Sequence, residues 1–152
     1  MSAQLERMLA RGHSERISLQ ELAAWFAGLP PTGCDFMQGN WTGGVFNTGH
    51  PGELMLAQMR WCGKNFNSVE DVAPIVCRDE QGHRIVSEAI GAARLRMISA
   101  PGESAPTAAM VYDKHPIIDY FKRLDDDTVL GVMDRKGDAF PLYFYLQRWR
   151  GE

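Results

Sequence analysis

A chain of 152 residues and 17.0 kDa has the length of one domain with a sizeable core. Its 45% hydrophobic content excludes intrinsic disorder, and 16 Lys and Arg against 19 Asp and Glu leave a net charge of −3. That balance lacks the basic footprint that general binding to nucleic acid or anionic membrane requires. Membrane insertion is not expected either, because the apolar runs are far shorter than a membrane span. Nothing after Met1 has the basic start and apolar middle of a leader. The three cysteines, an odd number, read as reduced thiols. The expected setting is the cytosol.

The predicted elements begin with helices. Leu5, Met8 and Leu9 suggest a first helix over Met1 to Arg11, ended by Gly12. Ser18-Leu19-Gln20-Glu21 has the form of a capping box, in which Ser18 accepts from the Glu21 N–H and Glu21 reaches back to Ser18. Leu19, Leu22, Phe26 and Leu29 then form one apolar face, and Pro30-Pro31 stops the helix. A strand is expected over Trp41 to Phe46. A short helix follows from His50-Pro51-Gly52-Glu53, with Leu54, Met55 and Met59 as its apolar side and an end near Trp61-Cys62-Gly63. Strand and turn alternate from there. The expected strands are Ala73 to Arg78, Arg84 to Ser87, Ala93 to Ala100, Thr107 to Tyr112, Asp119 to Leu124, Thr128 to Met133 and Leu142 to Trp149. The loops Asp79 to His83 and Asp125-Asp126-Asp127 read as hairpin turns.

Roughly eight closely spaced strands with helices gathered at the front describe a mainly β fold, an antiparallel barrel or sandwich. The expected architecture is a closed, strongly curved sheet with one or two plugging helices. Residues 1–152 form one domain, divided into a helical segment (1–30) and a barrel (39–150). The 15 glycines suit the turns, and seven Phe, four Trp and four Tyr suit strands.

Gly39-Asn40-Trp41-Thr42-Gly43, continuing to Gly49-His50-Pro51, resembles the bacterial family named for its Gly-x-Trp-x-Gly domain. Trp61-Cys62-Gly63-Lys64-Asn65-Phe66, Ala93-Arg94-Leu95-Arg96-Met97 and the stretch from Met110 to Asp134 fit the same family, so the likeness runs roughly from Leu22 to Arg148. That family has no assigned activity and implies no catalytic residues. A Gly-x-Trp at the first strand is also similar to lipocalin-like (calycin) barrels. The likeness implies that Trp41 is a structural plug at one barrel end, with Arg148 or Arg150 of the last strand stacked over its indole.

Arg94 and Arg96 are two apart on a predicted strand and share one face. Facing inward they would grip a carboxylate or phosphate; facing outward they are the solvated side of an amphipathic strand. Tyr143 and Tyr145 face one way on the last strand, Phe144 and Leu146 the other. Trp61, Tyr112, Tyr143 and Tyr145 are the candidate aromatic lining of a pocket, with Arg94 and Arg96 as its anchors. The four histidines lack metal-site spacing, so no metal is expected. Asp125-Asp126-Asp127 lacks the ligand alternation of a calcium loop. No nucleotide cradle or nucleophile elbow is present, and no cofactor is expected.

The favoured function is non-enzymatic: a small hydrophobic or amphipathic ligand, a fatty acid or other lipid-like molecule, held in a barrel cavity. One alternative is an enzyme on a hydrophobic substrate in the same cavity, with Asp119, Asp134, His50 or His115 in acid–base roles. The other is a haem barrel, with His50 or His115 on the iron. A homodimer through an outer sheet face stays open.

Overall fold

Residues 2–151 are described by the computed structural model. Met1, the start of the first expected helix, lies outside the described residues, as does Glu152. Two helices come first. The first, α1 (Ala3–Gly12), is capped by the Ser2 hydroxyl, which accepts from the Leu5 N–H. The second, α2 (Leu19–Ala27), is capped by Ser18, which accepts from the Glu21 N–H at 3.1 Å. Only that half of the expected capping box forms. The Glu21 carboxylate turns instead to the Arg11 guanidinium, at 2.5 and 3.1 Å, and ties α2 to α1.

The remaining elements are β1 (Gly39–Val45), α3 (Pro51–Met59), β2 (Trp61–Ser68), β3 (Asp71–Arg78), β4 (Arg84–Val86), β5 (Ala93–Ser99), β6 (Pro106–Tyr112), β7 (Ile117–Asp125), β8 (Thr128–Arg135) and β9 (Leu142–Arg148). The sheet runs β2-β1-β9-β8-β7-β6-β5-β3-β4, all antiparallel, and the β2–β3 pairing closes it into an eight-stranded barrel with β4 as an extra strand. One strand, β2, departs from the expected pattern. Its irregular registers between Trp61 and Gly63, and between Gly63 and Asn65, break the two-residue alternation by which a strand is recognised. The helix before it stops at Met59. Arg60, at φ 58°, then turns the chain directly into the strand.

Side-chain alternation sorts the barrel into two cores. Leu142, Phe144 and Leu146 point inward with Trp41, Phe66, Leu95, Met110 and Phe121. Tyr143, Leu130, Tyr120 and Ala109 point outward and are covered by Leu5, Met8, Leu22 and Phe26 of α1 and α2. The two N-terminal helices therefore cover an outer face and do not plug the barrel, because their apolar stripes match the apolar outer side of β7, β8 and β9. Beside α2, buried Lys122 reaches Glu103 at 2.5 Å and the Ala27 carbonyl at 3.4 Å.

One barrel end is filled around the glycine-rich motif. Trp41 is fully buried and its indole N–H donates to the Met37 carbonyl at 2.8 Å. The Arg148 guanidinium carbon lies 4.3 Å from the Trp41 ring centre and 4.8 Å from that of Phe36. The same guanidinium donates to the carbonyls of Gln38 and Phe36, at 3.1 and 2.6 Å. Arg150 instead meets Asp127 on the surface. The two motif glycines have separate reasons. Gly39 sits at φ +113°, a conformation that a Cβ disfavours. A Cβ on Gly43 would lie 2.5 Å from the Tyr145 carbonyl oxygen and 2.6 Å from Leu146, so only glycine lets β1 and β9 approach here. Gly43→Ala should destabilise the fold by about 2–3 kcal/mol, the range of overpacking plus backbone displacement. Urea unfolding measures this, and an unchanged midpoint would contradict the close-approach reading.

Candidate functional site

The opposite end of the barrel is built differently. Here β2, β7 and β9 begin and β6 and β8 end, so Trp61, Lys64, Tyr112, Ile117, Asp119, Met133, Leu142 and Phe144 converge around a cavity of about 220 Å³. Ile75 and Ile90 close its side where β3 leaves β5 after the single Val72–Ala93 pairing and runs on to β4. Met55, Leu56 and Met59 of α3 face it from the mouth. That helix, unlike α2, is held by a complete capping box. His50 Nδ1 accepts from the Gly52 N–H at 2.8 Å, while the Glu53 carboxylate accepts from the N–H groups of His50 and Thr48, at 2.8 and 3.1 Å. With Nδ1 an acceptor, the His50 proton sits on Nε2, 2.9 Å from the Asp138 carboxylate.

Inside the cavity a cation and an anion meet, both screened from bulk solvent. Lys64 Nζ is 3.1 Å from Asp119 Oδ2, and the two side chains are 3% and 1% exposed. The ammonium also donates to the Pro74 carbonyl at 3.0 Å and lies 5.2, 5.4 and 5.9 Å from the ring centres of Phe144, Trp61 and Tyr112. Burial pulls the Lys64 pKa down and pushes that of Asp119 up, while each charge partly offsets the shift of the other. Burial beside Asp119 likewise raises the Tyr112 phenol well above its ordinary value. Two polar atoms at this place are buried without a hydrogen-bond partner: Asp119 Oδ1 and the Trp61 indole nitrogen.

Of the residues singled out in the sequence, Trp61 and Tyr112 line this cavity. Arg94 and Arg96 do not. They stand on the outer face of β5, where Arg94 meets Asp113 at 3.4 Å and Arg96 meets Glu70 at 2.6 Å, while Ala93 and Leu95 take the inward positions. An anion anchor inside the barrel therefore cannot be this pair; alternation places them with solvent. Tyr143 and Tyr145 are also outside, packed beneath the N-terminal helices. Among the acid–base candidates, Asp119, His50 and His115 line the cavity, whereas Asp134 is exposed on the outer surface. His115 is tied by its Nε2 to the Ile90 carbonyl at 3.1 Å. Both His50 nitrogens are engaged, Nδ1 with the Gly52 N–H and Nε2 with Asp138, so this ring has no free nitrogen for a haem iron. Among the described residues, no three of His, Cys, Asp and Glu gather as metal ligands.

Lys64 is the site residue that sequence reasoning missed. It sits on β2, the strand hidden by its bulges, and a lone lysine between Gly63 and Asn65 looks solvated. A larger depression of about 650 Å³ lies between α2 and the outer barrel wall, lined by Phe26, Tyr120 and Tyr143. It holds none of the unpartnered buried polar atoms, so the barrel mouth is the better site.

A closed eight-stranded antiparallel barrel, plugged by Trp41 and Arg148 and hollow at the other end, is a lipocalin-like architecture. Residues 24–82 match the family described as GXWXG protein, and residues 91–148 match a domain of unknown function, DUF4334. The chain belongs to the GXWXG family. A solved protein from Thermomonospora curvata is 40% identical, with 97% of each chain covered and a TM-score of 0.87. No curated protein matches the chain. No described helix is long and apolar enough to cross a membrane.

The buried pair makes a double-variant test decisive. Lys64→Met leaves the Asp119 carboxyl without its partner and should cost about 3–5 kcal/mol in urea unfolding. Adding Asp119→Leu should recover most of that loss, because two apolar side chains replace a pair that gains little net stability from its charges. A double variant as unstable as the single one would show that the pair is not the coupled unit described.

Proposed function

We propose that this protein binds a small amphipathic molecule in the barrel cavity, with its polar end among Lys64, Asp119 and Trp61. The observation that carries this reading is a buried Lys64–Asp119 pair on the wall of a largely apolar cavity, with the Trp61 N–H and Asp119 Oδ1 left unpartnered among its lining residues. Buried donors and acceptors are almost always satisfied, by protein, by water or by a ligand. The cavity has room for about seven waters at liquid density, and a ligand bearing one acceptor and one donor would complete both groups. Its size favours a short chain or a single ring over a long-chain fatty acid.

The charge of that ligand follows from electrostatics. Lys64 and Asp119 already neutralise each other, so a ligand carboxylate adds an uncompensated negative charge to a buried site. A neutral hydroxyl or carbonyl meets no such cost. A carboxylate can enter only with a proton, taken up by Asp119, whose pKa burial has already raised. The meeting of Lys64 and Asp119, two titratable groups in one cavity, also supports a reading in which the protein acts on its ligand.

Benzyl alcohol and benzoate, equal in ring size, separate these expectations by isothermal titration between pH 6 and pH 8. Benzyl alcohol should bind once per chain with an affinity independent of pH. Benzoate should weaken about tenfold per pH unit as the accompanying proton becomes scarcer. Trp61→Phe should weaken benzyl alcohol about fivefold, the worth of one hydrogen bond. Absence of benzyl alcohol binding at every pH overturns the proposal.

A further inference from the structure

We propose that Lys64 condenses with a small aldehyde or ketone in the cavity, forming an iminium (protonated Schiff base) for which Asp119 is the built-in counterion. The inference deepens the binding function proposed above and rests on it. Its starting point is that the amine, its base and the space for a carbonyl compound are already assembled. Lys64 Nζ lines the cavity together with Trp61, Tyr112 and Phe144, and Asp119 Oδ2 is 3.1 Å from it, close enough to take a proton directly. Burial, which lowers the Lys64 pKa, favours the uncharged and nucleophilic amine.

The chemistry closes without any further reagent. Asp119 accepts one proton from the Lys64 ammonium. The freed nitrogen lone pair attacks the carbonyl carbon, a C–N bond forms, and the carbonyl oxygen becomes a hydroxyl with a second proton from the nitrogen. That hydroxyl leaves as water with the proton held by Asp119, and the nitrogen lone pair forms the C=N bond. The nitrogen keeps its third proton. One ammonium and one neutral carbonyl compound have become one iminium and one water, with no change in oxidation state.

Charge conservation is what makes this site suitable. The buried cation before the reaction is an ammonium and afterwards an iminium, and the Asp119 carboxylate faces it in both states at the same nitrogen. The three aromatic rings within 5.9 Å attract either cation through their faces. The unpartnered Trp61 N–H supplies a donor for the oxygen of the incoming carbonyl group. Lys122, the other buried lysine, also has a carboxylate and an aromatic ring beside it, Glu103 and Phe26, but it does not line the barrel cavity. It is bound to Glu103 and the Ala27 carbonyl on the outer wall of the barrel.

Benzaldehyde with cyanoborohydride tests the inference on the intact chain, since hydride reduction converts an iminium into a stable benzylamine. Peptide mapping by mass spectrometry should place a benzyl group on Lys64 with a yield at least about tenfold above that at Lys114, Lys122 or Lys136. Benzyl alcohol should suppress labelling at Lys64 and leave the other lysines unchanged. Asp119→Asn, checked for folding by near-ultraviolet circular dichroism, should bring the Lys64 yield down to that of the other lysines. Equal labelling of all four lysines, with benzyl alcohol still binding, overturns the Schiff-base inference and leaves the binding function intact. Failure of benzyl alcohol to bind, together with absence of a selective adduct, overturns both.

Discussion

Arg148 holds the filled end of the barrel by several simultaneous contacts. Its guanidinium lies over Trp41, and two of its N–H groups donate to the carbonyls of Phe36 and Gln38 in the segment that leads into β1. A planar, always-charged fork can stack and donate in its plane at once, which a lysine ammonium cannot. Because β9 pairs with both β1 and β8, this one side chain ties the last strand to the first and to the segment that leads into it. The glycines of the motif serve the same junction, through the positive φ at Gly39 and the bare Cα at Gly43.

With one end sealed, the polar groups at the other end stand out. Trp41, Phe66, Phe121, Met110 and Leu146 fill the interior, with the Trp41 indole N–H bound to the Met37 carbonyl. Toward the α3 mouth the same inward positions are taken by Lys64, Asp119 and Tyr112, and space remains. A buried ion pair with one oxygen unsatisfied is costly to place in an apolar barrel, and well-packed aliphatic side chains would serve stability as well. The pair is therefore the feature on which the proposed ligand binding rests. Above it, α3 is secured by His50 and by Glu53 and not by a broad apolar contact, since the helix has no fully buried residue.

Much of this was legible from residue order. Most strands lie close to where alternation and turn signals put them, and the Trp41 plug followed from a short motif. The capping residue Ser18 was readable, but the partner of Glu21 was not, because Arg11 lies ten positions away and arrives only when two helices pack. Arg94 and Arg96 were correctly paired on one face. Which face was inward depended on the curvature of the sheet, and their partners Asp113 and Glu70 lie across neighbouring turns. Tyr143 and Tyr145 posed the same ambiguity with the additional twist that both faces of β9 are buried.

The sequence by itself determined the class of the molecule: a mainly β chain with leading helices, a Gly-x-Trp start and short turns. These are set by local rules of backbone preference and alternation that act over a few residues. Only the tertiary structure decided where the chemistry lies. Lys64 and Asp119 are 55 positions apart, and the bulges of β2 aim Trp61 and Lys64 into the same space against the usual alternation. Closure of the barrel then brings them together and shields them from bulk solvent, which turns an ordinary lysine and aspartate into a buried pair beside a cavity.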